Sequence, residues 1–220
     1  MEQKRPKSDL TPDAILEAAL FLTERDGIEF SMRDLGASLG AWPNTIYAFY
    51  PSKEALQAAL IDHILDTFYT HVAVQRLLDD EIEWQVRITD LALAAFETLS
   101  QYHGVGRKLT HFGMFGEQAG LRFFSRLLKF YTSIGFETRR AGVIMQVTGF
   151  FVYEMSDLEA AVQRGEANHR IAEQSLKEVS KQDAESLEEI INTPVRARVE
   201  TGIKLFIAGI ETELEKAQSR

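Results

Sequence analysis

The sequence predicts an all-α protein with an N-terminal three-helix head, which contains a helix-turn-helix, and a larger helical body. Three observations support this fold class. Apolar residues recur every three or four positions over most of the chain, as they do on one face of a helix. No segment keeps the alternating pattern of a strand. The stretch 31–53 carries helix-capping residues at the spacing of two short helices.

The two short helices of the stretch 31–53 follow from four residues. Ser31 is a candidate N-cap, and Asp34 follows three residues later, as in a capping box. Gly40 stands where the first helix must end, because glycine adopts the left-handed conformation at low cost. Pro43 suits the first position of the next helix, where its missing N–H is not needed. This arrangement is a helix-turn-helix, whose second helix fits the major groove of DNA.

The other elements follow from caps, prolines and glycines. Residues 1–52 are predicted to form a basic arm and the head, and residues 53–220 the body, with a helix at 53–74 connecting the two. Segment 164–194 is acidic with weak periodicity, and either a modest helix or an exposed excursion fits it. The further predicted helices span 12–26, 84–102, two stretches within 107–135, 136–163 and 195–217.

Composition narrows the functional class. The formal net charge is −9, and residues 1–54 contain nine acidic and six basic side chains, which argues against general nucleic-acid affinity. A few placed phosphate contacts remain compatible with this balance. The chain has no cysteine and opens without an apolar run, and its most apolar stretch, 142–153, is too short to span a bilayer. We therefore expect a soluble cytoplasmic protein with no membrane partner.

Catalytic motifs are missing from the sequence. It contains no Gly-x-Ser-x-Gly elbow, no Walker loop and no His-Glu-x-x-His pair. The glycines at 104 and 106 lack the third glycine and the preceding strand of a dinucleotide fingerprint. We predict no enzyme, no catalytic residue, no metal and no cofactor.

Residues 11–70 resemble the N-terminal domain of the tetracycline-repressor (TetR) family of bacterial regulators. The likeness lies in ILEAAL at 15–20, SMRDL at 31–35 and TIYAFYPSKEAL at 45–56, the last close to the family signature T-(L/I)-Y-x-(H/Y)-F-x-(S/N)-K-x-x-L. Shorter body segments, at 128–136, 147–155 and 202–216, also resemble the family. The resemblance implies a homodimeric, ligand-responsive transcriptional repressor that binds a double-stranded DNA operator.

The resemblance places Thr45, Tyr47 and Lys53 on phosphates. The chemistry agrees, because a hydroxyl, a phenol and an ammonium donate to phosphate oxygens without reading sequence. Asn44 and Arg33 are natural base readers, for adenine and guanine respectively.

Trp42 departs from the family pattern, which usually has a polar cap at this position. Either its ring packs on the sugar-phosphate edge or it covers the helix junction, and Ala48 is placed to touch a thymine methyl. The predicted DNA surface comprises Arg33, Trp42, Pro43, Asn44, Thr45, Tyr47, Ala48 and Lys53.

Phenylalanines are concentrated between positions 111 and 151, where they form core or line a ligand pocket. The resemblance places His111 in a His-x-Gly element that contacts ligand, although a histidine here also suits the core. Phe150 and Leu158 replace the oxygen and nitrogen groups that would surround magnesium, so the ligand is predicted to be apolar or aromatic. The predicted pocket comprises Tyr69, Thr110, His111, Phe112, Met114, Phe115 and Phe150.

Apolar stripes run through 141–162 and 199–214 at spacings of three and four. Internal packing explains them, and so does a four-helix dimer interface, which the resemblance favours. The predicted interface comprises Ile144, Thr148, Phe151, Met155, Val199, Ile203, Phe206 and Ile210. Two other functions stay open: a DNA-binding regulator controlled by a partner protein, and an enzyme or carrier that uses the apolar body.

Overall fold

A computed structural model describes residues 10–111, 118–165 and 179–218. The described residues form helices without strands, which confirms the all-α prediction. The helices are α1 (Pro12–Asp26), α2 (Met32–Leu39), α3 (Pro43–Tyr47), α4 (Lys53–Tyr69), α5 (Val72–Gln75) with a 3-10 turn (Arg76–Leu78), α6 (Trp84–Leu99), α7 (Val105–His111), α8 (Gln118–Ser133), α9 (Thr138–Gln163), α10 (Lys181–Asn192) and α11 (Val195–Gln218).

The predicted caps of the helix-turn-helix are confirmed. The amide of Asp34 donates to the Ser31 hydroxyl at 3.1 Å. That hydroxyl donates in turn to the Asp34 carboxylate at 2.5 Å, so the carboxylate secures the capping side chain. Gly40 ends α2 with φ +63°, in the left-handed region, and Pro43 occupies the first turn of α3.

The connecting helix is shorter than predicted. It ends at Tyr69 and not at the predicted residue 74, because His71 caps the start of a new helix. The Nδ1 atom of His71 accepts a hydrogen bond from the amide of Ala73 at 3.2 Å and caps α5. The chain therefore turns after Tyr69 and packs α5 against the body.

The predicted segment 164–194 contains α10, none of whose residues is buried. Other boundaries differ by two or three residues: α6 ends at Leu99, and α9 begins at Thr138. These differences lie within the fraying of helix ends.

The core of the head continues into the body. Ile15, Leu35 and Ile46 are fully buried between α1, α2, α3 and α4. The same cluster includes Val105 of α7 and Tyr153 of α9. Burial of each such side chain contributes roughly 1.5–3 kcal/mol, so head and body stabilise one another. Helix α9 also supplies residues to both other clusters of the body.

Candidate nucleic-acid interface and apolar cavity

Helix α3 presents one face to the core and the other to solvent. Ile46 is fully buried, whereas Trp42 is 82% exposed and Tyr47 41% exposed. Asn44 and Thr45 are exposed beside them. Trp42 makes no side-chain cap and does not cover the helix junction, which removes one of its two predicted roles. The outward face therefore offers an amide, two hydroxyls and an indole to a partner.

Lys53 begins α4 beside α3, and its ammonium is engaged within the chain. Its Nζ atom donates to the Glu29 carboxylate at 2.9 Å and to the Glu29 carbonyl at 3.1 Å. The other oxygen of that carboxylate pairs with Lys108 of α7 at 2.7 Å. The hydrogen bonds from Lys108 and Lys53 lower the pKa of Glu29 to about 2. Glu29 thus links a predicted phosphate contact to a helix of the body.

The loop between α1 and α2 and the last turn of α1 contact the body through backbone hydrogen bonds. The amide of Ile28 donates to the carbonyl of His103 at 2.9 Å, and its carbonyl accepts from the buried Gln57 side chain at 2.9 Å. The guanidinium of Arg164, at the end of α9, donates to the carbonyl of Arg25 at 2.6 Å. A displacement of α4, α7 or α9 would therefore reach the head directly.

Helix α7 is anchored on α9. The amides of Gly104 and Arg107 donate to the two carboxylate oxygens of Asp157 at 3.0 and 2.7 Å. Asp157 is 7% exposed, so this negative charge lies buried at the positive end of α7. The pair of hydrogen bonds fixes the position of α7 relative to α9.

An apolar cavity of about 70 Å³ lies between α4, α6, α8, α9 and α11. None of the described residues in its walls carries a charged side chain. The lining residues are Ile64, Leu65, Phe68, Ile88, Leu91, Ala92, Ala95, Thr98, Leu99, Phe123, Leu127, Tyr131, Thr148, Gly149, Phe151, Val152, Tyr153, Ile203, Phe206, Ile207 and Ile210.

The described residues of the predicted ligand set lie outside this lining. Tyr69 borders a shallow surface depression, Phe150 points partly to solvent, and the Thr110 hydroxyl donates to the carbonyl of Gly106 at 3.2 Å. The side chain of His111, and residues Phe112, Met114 and Phe115, fall outside the described part of the chain, so those contacts stay predictions.

Three of the eight predicted dimer residues, Val199, Ile203 and Ile210, are buried within the single chain, and the other five are half-buried. The interface itself stays a prediction. Those that line the cavity are Thr148, Phe151, Ile203, Phe206 and Ile210; Ile144 and Met155 are half-buried. A spacing of three and four marks an apolar face without indicating whether the chain itself or a partner covers it.

The exposed apolar residues of the same helices lie on another face. On α9 they are Val143, Val147, Phe150 and Val162; the first three are spaced four and three apart, and Val147 is 50% exposed. On α11 Leu205 is 70% exposed. Sequence reasoning missed this face because its periodicity repeats that of the buried one.

The described residues contain no group of three or more His, Cys, Asp or Glu residues that could hold a metal ion. No helix among them is long and apolar enough to cross a membrane.

Comparison with known families and structures gives three kinds of result. Residues 15–60 match the family described as bacterial regulatory proteins, tetR family. A search of curated proteins finds no match. Many solved structures share the fold.

A variant of TetR from Acinetobacter baumannii AYE in complex with minocycline is 20% identical, with a TM-score of 0.68, over 94% of this chain and 99% of that one. The TetR family protein ActR of Streptomyces coelicolor, in complex with actinorhodin, is 18% identical, with a TM-score of 0.72, over 94% and 99% of the two chains. BioQ with its double-stranded DNA operator is 16% identical, with a TM-score of 0.63, over 92% and 98%. The likeness extends over nearly the whole chain.

Proposed function

This chain belongs to the tetR family of bacterial regulatory proteins through its N-terminal segment, residues 15–60, and we propose that it is a homodimeric repressor released from its operator by a small apolar or aromatic inducer. The observation that carries the DNA-binding part is the outward face of α3. An indole and a phenol stand exposed there beside an amide and a hydroxyl, on a helix whose opposite face is anchored by Ile46. The structural neighbour BioQ, in complex with its operator, supports DNA as the partner.

The residues on and beside α3 divide by chemistry. Thr45, Tyr47 and Lys53 donate to phosphate oxygens and position the head. Asn44 and Arg33 read base edges, because their planar groups make paired hydrogen bonds with adenine and guanine. Lys53 exchanges part of its contact with Glu29 for a phosphate when the head meets DNA.

Two heads are needed to grip adjacent major-groove half-sites, whose centres lie roughly 34–36 Å apart. A second copy of the chain supplies the second head. The exposed apolar residues of α9 and α11, Val143, Val147, Phe150 and Leu205, form the surface that joins the copies. These side chains are more exposed than the set predicted from periodicity, of which Val199, Ile203 and Ile210 are buried.

Release depends on α4, which takes part in both sites. Its N-terminal residue is Lys53, next to α3, while Ile64, Leu65 and Phe68 near its C-terminal end line the cavity. A ligand that enlarges the cavity displaces α4 and changes the separation of the two heads. Such a ligand must bind the released conformation more tightly than the DNA-bound one, and a coupling of about 1–3 kcal/mol is typical.

The cavity favours a small molecule over a partner protein as the controlling signal. Its lining is almost entirely apolar and lies between five helices, which suits a ligand taken into the interior. The neighbours bound to minocycline and actinorhodin support the same kind of control.

The proposal is tested on the DNA upstream of the chain's own gene. Footprinting of the full chain on that DNA should protect two half-sites about one helical turn apart, each with a Kd well below that for unrelated duplex. Apolar compounds that raise the thermal midpoint should weaken this protection. Equal binding to operator and unrelated DNA would remove the repressor proposal, and ligands that stabilise the protein without affecting protection would remove the induction step.

A further inference from the structure

Tyr153 places a hydroxyl donor in the lining of the apolar cavity. The residue is 7% exposed, and its hydroxyl makes no hydrogen bond to the residues that the structure describes. The hydroxyl oxygen is not among the fully buried, unpartnered side-chain atoms, so it keeps accessible surface within an otherwise buried residue. Its proton is therefore available to an acceptor that enters the cavity.

The tip of the Tyr153 side chain lies over Gly149, which also lines the cavity. A Cβ atom added to Gly149 would stand 3.5 Å from the hydroxyl oxygen. The lack of a side chain at Gly149 therefore leaves space beside the hydroxyl. Burial raises the pKa of Tyr153, so the phenol stays protonated and acts as a neutral donor.

The other hydroxyls of the cavity are less available. Thr148 donates to the carbonyl of Ile144 at 2.8 Å, so in the 3.3 Å contact between Tyr131 and Thr148 the phenol is the donor. Tyr131 thus has its proton engaged. Thr98 is a partly exposed residue near the end of α6. In the described lining, Tyr153 is therefore the buried residue whose hydroxyl makes no hydrogen bond, whereas Thr98 is partly exposed.

The walls determine the charge of a ligand. The described lining residues include no acidic or basic side chain, so an ionised ligand would lose its hydration without compensation from them. The volume of about 70 Å³ exceeds the space that one water needs, roughly 10–15 Å³. The site therefore suits a small uncharged molecule with an apolar surface and one oxygen acceptor.

We infer that Tyr153 anchors the ligand of this cavity by donating a hydrogen bond to a carbonyl or ether oxygen of a small, uncharged, largely apolar molecule. This inference rests on the proposed function and names the ligand class of the same site. It adds Tyr153 to the polar groups predicted for the ligand site, among which His111 stays a prediction. Tyr153 also packs against α7, and Lys108 of α7 pairs with Glu29 of the head. The proposed anchor on α9 is therefore connected to the head through one helix, α7.

Three matched probes test the ligand class: acetophenone with a carbonyl, ethylbenzene of similar shape without one, and charged benzoate. Titration calorimetry on the full chain should show acetophenone binding about three- to tenfold more tightly than ethylbenzene, the range of one neutral hydrogen bond. Benzoate should not bind measurably. Comparable binding of benzoate, or no binding of acetophenone at all, would overturn the inference.

Two variants test the anchor. Tyr153→Phe should bring acetophenone to the affinity of ethylbenzene and leave ethylbenzene unchanged, whereas Tyr131→Phe should keep the preference for acetophenone. An unchanged preference in Tyr153→Phe would assign the anchor to another group. If Tyr153→Phe does not fold, NMR of the unaltered chain tests the anchor instead. The ¹³Cζ chemical shift of Tyr153 should change when acetophenone is added and should stay the same when ethylbenzene is added. Operator binding measured on the same samples separates failure of the anchor from failure of the regulator proposal.

Discussion

Gly106 and Tyr153 touch through their backbones: a Cβ atom added to Gly106 would lie 2.4 Å from the carbonyl oxygen of Tyr153. No real Cβ approaches an oxygen so closely, so α7 and α9 pack at a distance that only glycine permits. Asp157, which lies on α9 like Tyr153, accepts hydrogen bonds from two amides at the start of α7 through its buried carboxylate. Helix α7 therefore follows α9, and α7 carries Lys108, which pairs with Glu29 of the head.

Gly106→Ala should destabilise the chain, because α7 must move away from α9 to admit the methyl group. The expected loss is about 1–3 kcal/mol, as for an overpacked site. Gly142→Ala is the matched control: it lies in α9, a Cβ there meets nothing within 4 Å, and we expect a gain of about 0.5–1 kcal/mol. Urea unfolding measures both. Equal urea midpoints for the two variants would contradict the close contact between Gly106 and the backbone of Tyr153.

Substitutions on α3 should separate positioning from sequence reading. Lys53→Ala is expected to weaken binding to operator and unrelated duplex alike and to flatten the salt dependence, because it removes a phosphate contact. Asn44→Ala should relax preference at one base position, at a cost of about 1–3 kcal/mol. Fluorescence anisotropy over a series of salt concentrations measures both effects. Identical losses on both duplexes for Asn44→Ala would rule out direct readout by this residue.

Glu29→Gln should tighten DNA binding, since the carboxylate holds the Lys53 ammonium that DNA phosphate also attracts. An exposed ion pair of this kind is worth about 0.2–1 kcal/mol, so the Kd should fall by up to roughly fivefold, on operator and unrelated duplex alike. Glu17→Gln removes the same charge from an exposed position of α1 that forms no ion pair with Lys53, and it serves as the control. If both variants tighten binding equally, the gain is a general charge effect and the Glu29–Lys53 pair plays no part.

The ion pair between Glu29 and Lys53 should make the free energy of unfolding depend on pH. The pKa of Glu29 is lowered in the folded chain to about 2, below its ordinary value of 4.5. Its stabilising contribution is therefore fully present above about pH 4.5 and is lost as the pH falls towards 2. Glu29 is 65% exposed, so solvent screening keeps the contribution below about 1 kcal/mol.

Urea unfolding at pH 7 and pH 3 checks this dependence. At pH 7 the free energy of unfolding should be larger for the unaltered chain than for Glu29→Gln. The difference between the two should be smaller at pH 3. Glu17→Gln should show no such narrowing. A gap that stays constant between the two pH values would show that Glu29 is not held by Lys53 and Lys108 in solution.

Charged substitutions on the exposed stripe should break the proposed dimer without unfolding the chain. Val147→Glu and Leu205→Glu place a carboxylate on a surface that is exposed in the single chain and buried in the pair, where an unpaired charge costs several kcal/mol. Ile190→Glu, on the exposed face of α10, is the control. Sedimentation velocity should give monomers for the first two and dimers for the control. Dimers for all three, with native helicity, would place the interface elsewhere.

Local structure in the head was determined by the sequence itself. The Ser31–Asp34 cap, the left-handed Gly40 and the first-turn Pro43 act through neighbours three or four residues apart, so their chemistry can be read without knowing the fold. The all-α class followed in the same way from the apolar period. The break after Tyr69 was missed because a histidine side chain can cap a helix as well as continue one.

Only the tertiary structure decided which apolar face meets which neighbour. The periods of α9 and α11 mark stripes that suit a partner or the chain's own core equally, and packing placed Ile203 and Phe206 around the cavity and left Leu205 exposed. Tyr153 gave no signal in sequence, because a tyrosine in an apolar helix is ordinary. Its unused hydroxyl and the close approach of Gly106 exist only once helices distant in sequence are packed together, since burial and hydrogen-bond satisfaction are properties of the assembled chain.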